Sequence, residues 1–235
     1  GPFDLGGRTR AIVVDVANSN IVIAGGVSGG IWKSTDKGLT WQFKSSKSSI
    51  LSVTSIAQDP RAGFRNNWYA VGGEFDGNSA RARGGGASFY GGGFYKSTDN
   101  GESWNTVASN LTEPNGTSWN SRFSFASKVL VNPSTGSIFV CSNLGVLLKS
   151  TNQGSTWTTV IGQFNDHYYV DAAVNKNGVL VCTLSQLSPT GTNVTPPGLF
   201  KSTDDGQNWT PITPVDFPTT YSRSVMAFGT SNPNV

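Results

Sequence analysis

The chain has 235 residues, 29 of them glycine and only 13% charged, a balance that favours strands and turns over helices. The formal net charge is +3, but the cations are scattered rather than gathered in a patch, which argues against a nucleic-acid surface. No apolar run reaches the length of a membrane span and no signal peptide opens the chain, so membrane insertion is not expected.

Taken in order, the chain reads as four similar units of four short strands. The first has strands at residues 11–16, 21–24, 30–34 and 40–44, and the second at 52–58, 68–72, 93–97 and 103–108. The third has them at 126–131, 137–142, 146–150 and 156–161, and the fourth at 170–174, 179–184, 199–202 and 208–212. Residues 224–229 then read as the first strand of a fifth unit. Four-stranded units repeated radially are the plan of a β-propeller. The expected fold is therefore all-β, with 1–235 forming a partial propeller. Its blades lie at about 8–45, 50–109, 124–162 and 168–213, and the start of the next at 222–235. A parent propeller of six to ten blades is expected.

One motif sets the period. Ser34-Thr35-Asp36-Lys37-Gly38-Leu39-Thr40-Trp41 recurs around Asp99, Gly101 and Trp104, around Asn152, Gly154 and Trp157, and around Asp204, Gly206 and Trp209. The shared pattern is S-T-[DN]-x-G-x-[TSN]-W, always preceded by lysine. Tryptophans at 41, 104, 157 and 209 give repeats of 63, 53 and 52 residues, the signature of a repeat architecture. Its chemistry is that of a hairpin turn. The Asp or Asn accepts backbone N–H bonds, the Gly supplies a positive φ, the hydroxyls bond locally, and the Trp covers the loop. Four catalytic aspartates are excluded by Asn152.

This motif resembles the Asp-box, or BNR repeat, of sialidases, sortilin-type propellers and xyloglucanase-like glycosidases. All four copies match, and the resemblance implies that each is the hairpin between the third and fourth strands of a blade. It specifies a fold well and a function poorly. The opening stretch 6–12 and residues 24–34 also resemble large secreted Bacteroidota proteins exported by type IX secretion. That implies an extracellular or cell-surface protein that meets secretion machinery.

In the propeller reading, the connections after strands two and four share one face, and these are the long ones: 74–92, 109–125, 162–169, 185–198 and 213–223. Long loops on a rigid scaffold tend to carry function. Their candidate ligand-binding residues are Arg81, Arg83, Tyr90, Trp119, Arg122, His167, Tyr168, Tyr221 and Arg223, a mixture of aromatic and hydrogen-bonding groups suited to a glycan or a polar peptide. The bland alternative is that these aromatics only pack their own loops.

Catalysis would need two carboxylates flanking a scissile bond. Asp166 and Asp171 are the weak candidates, and no partner can be assigned to either. Arg8 and Arg10 lead into the first strand, where sialidases clamp a carboxylate with arginines. The sequence lacks that family's R-I-P signature and its Tyr–Glu pair. The glycine runs at 84–86 and 91–93 are not phosphate loops, since no Lys-Ser/Thr follows them. No cofactor is expected. One histidine and the absence of a Cys/His cluster disfavour zinc, and no loop motif supports calcium. Cys141 and Cys182 read as buried thiols. The leading expectation is a secreted or cell-surface module binding a glycan or a protein. The alternative is a polysaccharide-active glycoside hydrolase, xyloglucanase-like or sialidase-like, with part of its site in blades outside this chain.

Overall fold

Sixteen short strands make up the regular structure in the computed structural model, which describes residues 8–45, 52–74, 91–107, 122–187, 191–192, 194–218, 221 and 223–229. They are β1 (Thr9–Val14), β2 (Val22–Gly26), β3 (Gly30–Ser34), β4 (Gln42–Phe43), β5 (Ser55–Gln58), β6 (Trp68–Val71), β7 (Phe94–Ser97) and β8 (Asn105–Thr106). Then follow β9 (Ala126–Val131), β10 (Ile138–Ser142), β11 (Val146–Ser150), β12 (Thr158–Gly162), β13 (Val170–Val174), β14 (Leu180–Leu184), β15 (Gly198–Ser202) and β16 (Thr210–Pro211).

The strands form four sheets of four, each in chain order, β1 to β4, β5 to β8, β9 to β12 and β13 to β16. The strands pair in antiparallel ladders. Second strands such as β6, β10 and β14 are buried along their whole length. Continuous apolar runs suit a strand covered on both faces, and Ile138-Phe139-Val140-Cys141 is such a run. The fourth strands β4, β8 and β16 are two residues long and largely exposed, as edge strands tend to be. They start later than the sequence predicts because the repeat turn holds the preceding residues. The backbone N–H of Thr40, for example, bonds to Asp36 at 2.8 Å instead of entering a ladder.

The chain divides into two compact units, Gly1–Val129 and Leu130–Val235. In the first, Ile23 and Ile31 pack with Val53, Ile56, Trp68 and Tyr95. In the second, Phe139, Cys141 and Leu147 pack with Val170, Leu180 and Cys182. Neither cysteine is in a disulfide; both are buried in that core, and burial pushes the Cys182 thiol well up. They act as small apolar residues.

One predicted element differs. Residues 223–229 form no strand. A first strand is defined by its ladder to the second strand of its own blade, and none of the described residues supplies that partner. Residues 230–235, along with Arg81, Arg83, Tyr90 and Trp119, lie outside the described residues.

Candidate functional site

The four repeat turns adopt one geometry. In each, the backbone N–H of the glycine donates to the first serine, Ser34, Ser97, Ser150 or Ser202, at 2.8–2.9 Å. That serine hydroxyl donates to Asp36, Asp99, Asn152 or Asp204. The same side-chain oxygen accepts the backbone N–H of Thr40, Ser103, Thr156 or Asn208. Asn152 replaces a carboxylate without loss, because its amide donates to Thr156 Oγ1 at 2.8 Å where the aspartates accept. The Thr40 hydroxyl and N–H hold Asp36 at a pKa of about 2, and the Asn208 N–H and amide do so for Asp204. Burial works upward on Asp99, but the hydroxyl and N–H of Ser103 outweigh it, again to about 2. These acids are anions at neutral pH and are engaged by the turn's own donors, so they are scaffold.

The residue before each glycine was not anticipated. Lys37, Asn100, Gln153 and Asp205 all sit at φ 59–61°, a conformation that costs a residue with Cβ about 1 kcal/mol. The glycines follow at φ 80–91°. Trp41, Trp104 and Trp157 close their turns by donating Nε1–H to the glycine carbonyl at 3.0–3.3 Å. Trp209 Nε1 is buried and makes no such bond.

At the other ends of the strands, in the second unit, three predicted loops are drawn together. Asp166 is 1% exposed, and its carboxylate accepts the N–H and hydroxyl of Thr192 and the N–H of Val194. Burial pushes its pKa up, yet the Thr192 and Val194 bonds win and the net shift is downward. It therefore staples the 163–169 connection to the 185–198 connection, and its lowered proton affinity is the reverse of what a general acid needs. His167 is also buried, with Nδ1–H donating to the Ser185 carbonyl at 2.7 Å, and it bridges to Leu187. Its Nε2 is buried and has no hydrogen-bond partner among the described residues. The Ser185 hydroxyl accepts from the Tyr169 N–H at 2.9 Å. Tyr221 donates its hydroxyl to the Leu184 carbonyl and packs edge-on against Phe217 at 5.0 Å. Burial raises its pKa.

Tyr168 and Tyr221 are half-buried, whereas Arg122 and Arg223 are exposed. Of the sequence-derived candidates, then, Asp166, His167 and Tyr221 serve first to fix the loops. Tyr168, Arg122 and Arg223 make no such loop-fixing bond among the described residues. Asp171 lies half-buried in β13, and its Oδ2 accepts the Met226 N–H at 2.7 Å.

In the first unit, Arg8 and Arg10 clamp a carboxylate as expected of arginine forks, but it is the protein's own. Glu74, 5% exposed, accepts from both, Arg10 at 3.1 Å. Both arginines are thus engaged within the protein. Sequence reasoning missed this pairing because the partners lie 64 and 66 residues apart. It also missed Ser185 and Thr192, which carry no motif. Among the described residues no group of three or more His, Cys, Asp or Glu is placed to hold a metal, and no helix is long and apolar enough to cross a membrane.

No family model matches the chain. It is 28% identical over 249 residues to a xyloglucanase of Hypocrea jecorina (strain QM6a), an alignment covering 90% of this chain and 27% of that protein. Among solved structures it is similar to an ancestral GH74 enzyme, with TM-score 0.63 and 24% identity over 87% of this chain and 25% of the other. It is also similar to YCF48 from Cyanidioschyzon merolae, with TM-score 0.54 and 12% identity over 97% and 62% of the two chains. The chain thus spans about a quarter of the xyloglucanase it resembles. The fold is all-β, of four-stranded antiparallel blades, and it belongs with the β-propellers.

Proposed function

We propose that the chain forms part of a polysaccharide-active, xyloglucanase-like propeller, with its repeat turns as Asp-box scaffold. Xyloglucan or a related glycan would be engaged by the opposite connections. The observation that carries this reading is the likeness to a xyloglucanase along nearly the whole chain. The loop cluster supports it. Connections held together by Asp166, His167 and Tyr221 present Tyr168 and Arg223 from a fixed base, and aromatic faces with hydrogen-bonding neighbours suit sugar rings. Such a polymer lies outside the cell, so we place the protein outside or on the cell surface, exported by the type IX route that its opening stretch resembles.

Hydrolysis requires an acid and a second carboxylate across the scissile bond. Asp171 is the candidate in this stretch, with its partner supplied elsewhere in the whole protein. A second reading, a non-hydrolytic glycan- or protein-binding module, is favoured by one observation. Asp166 and Glu74 are saturated by structural donors.

The test is incubation of the whole protein with xyloglucan, following released oligosaccharides by mass spectrometry and binding in the same samples. Released products support the hydrolase. Retention of polymer without release supports the binding module. Neither release nor retention removes the glycan reading.

A further inference from the structure

The lysine before each repeat turn is unused by the proposed function. In the first unit, Lys33 of β3 stands directly opposite Ile23 of β2. Its Nζ donates to the Asn100 carbonyl at 2.7 Å and pairs with Glu102 at 2.6 Å, both in the second repeat turn. Gly101 lies between them, and a Cβ there would come within 2.3 Å of Ile23 Cδ1. The second turn is therefore seated on the Ile23–Lys33 pair of the blade before it.

The second unit repeats the arrangement with different residues. Lys149 stands opposite Phe139, donates to the Asp205 carbonyl at 2.6 Å and pairs with Asp205 Oδ2 at 2.8 Å. A Cβ on Gly206 would come 3.0 Å from Phe139 Cε1. In both cases the socket is an apolar residue and a lysine on paired strands. The plug is a glycine, the carbonyl before it and an acid at its side. The lysine side chains are only 4% and 11% exposed. A buried ammonium is costly unless it is paired, and here a carbonyl and a carboxylate meet each one.

The fourth blade carries the same socket. Val181 stands opposite Lys201, but Lys201 is exposed and has no partner among the described residues. We propose that the Val181–Lys201 pair receives the repeat turn of a further blade of the same polypeptide, one with an acid flanking its glycine. Two features argue for that occupant. The chain spans 27% of the relative's length, which leaves room for more blades in the whole protein. Charge complementarity also excludes this chain's own first turn, where Lys37 and Leu39 flank Gly38 and would set lysine against lysine.

Lysine acetylation of the native whole protein, read by mass spectrometry, tests the socket. Lys201 should react as slowly as Lys33 and Lys149, about tenfold or more slower than the exposed Lys37, because reaction awaits local opening. Carbodiimide coupling should join Lys201 to a peptide of S-T-x-x-G type with an acid beside its glycine. Reaction of Lys201 at the Lys37 rate would overturn the proposal. Coupling to a peptide without such a turn, or to residues 34–41 of a second copy, would overturn it too.

Discussion

The repeat turns and the connections at the opposite strand ends are built on different rules. The four turns repeat the same bonds residue for residue, from the serine accepting the glycine N–H to the Asp or Asn accepting the N–H four positions on. Among the described residues, the opposite connections are held by bonds that differ from place to place. Glu74 sits between two arginines in one place, and Asp166 under Thr192 and Val194 in another. A turn that recurs unchanged while its neighbours vary is scaffold, and the varied loops are where a specific ligand finds its contacts.

The largest expected effect probes the seating of a turn. Gly101→Ala should cost about 2–4 kcal/mol, combining positive-φ strain with overpacking against Ile23. Gly63→Ala, at a similar φ of 83° but with nothing within 4 Å, should cost only about 1 kcal/mol. Denaturant unfolding of the two variants checks the difference, and equal costs would mean that turn 2 is not pressed on its neighbour.

On the other side of the comparison, Asp166→Ala leaves the Thr192 and Val194 N–H groups without their acceptor. We expect about 1–3 kcal/mol of destabilisation. Hydrogen exchange should quicken at residues 191–194 while the repeat turns stay protected.

A smaller effect separates charge from geometry in the turns. Asp99→Ala should cost about 1 kcal/mol through lost turn bonds at an exposed site. Asp99→Asn should be nearly neutral, since Asn152 already fills that role.

Acid sensitivity is the finest distinction. Asp36, Asp99 and Asp204 titrate near 2 when folded against 3.8 ordinarily, so at pH 3 the unfolded chain binds more protons. Their contribution is complete above about pH 5 and fades as the pH falls towards about 2. Asp99→Asn should flatten that acid limb in thermal melts across pH 2–5, and an unchanged limb would assign the loss to other groups.

The scaffold half was legible in the sequence because its forces are local. Asp36 reaches bonds two to four residues away, and Gly38 meets a backbone demand, so spacing alone exposes both. All sixteen strands follow from those turns and the alternation between them. The lysines were visible as a constant letter, but their purpose was not, because Lys33 finds its partners 67 and 69 residues away. The candidate site was legible only as a roster. Asp166 and Tyr221 were picked out from composition alone, and the bonds across loops that engage them could not be read there, since burial and distant partners decide what a polar side chain does. Nothing local to residues 163–169 announces Thr192.

Hydrogen exchange of the whole protein with and without xyloglucan oligosaccharides tests the central claim most directly. The account predicts new protection at residues 163–169, 185–198 and 213–223, with the repeat turns at 34–41, 97–104, 150–157 and 202–209 unchanged. Protection confined to those turns would contradict it.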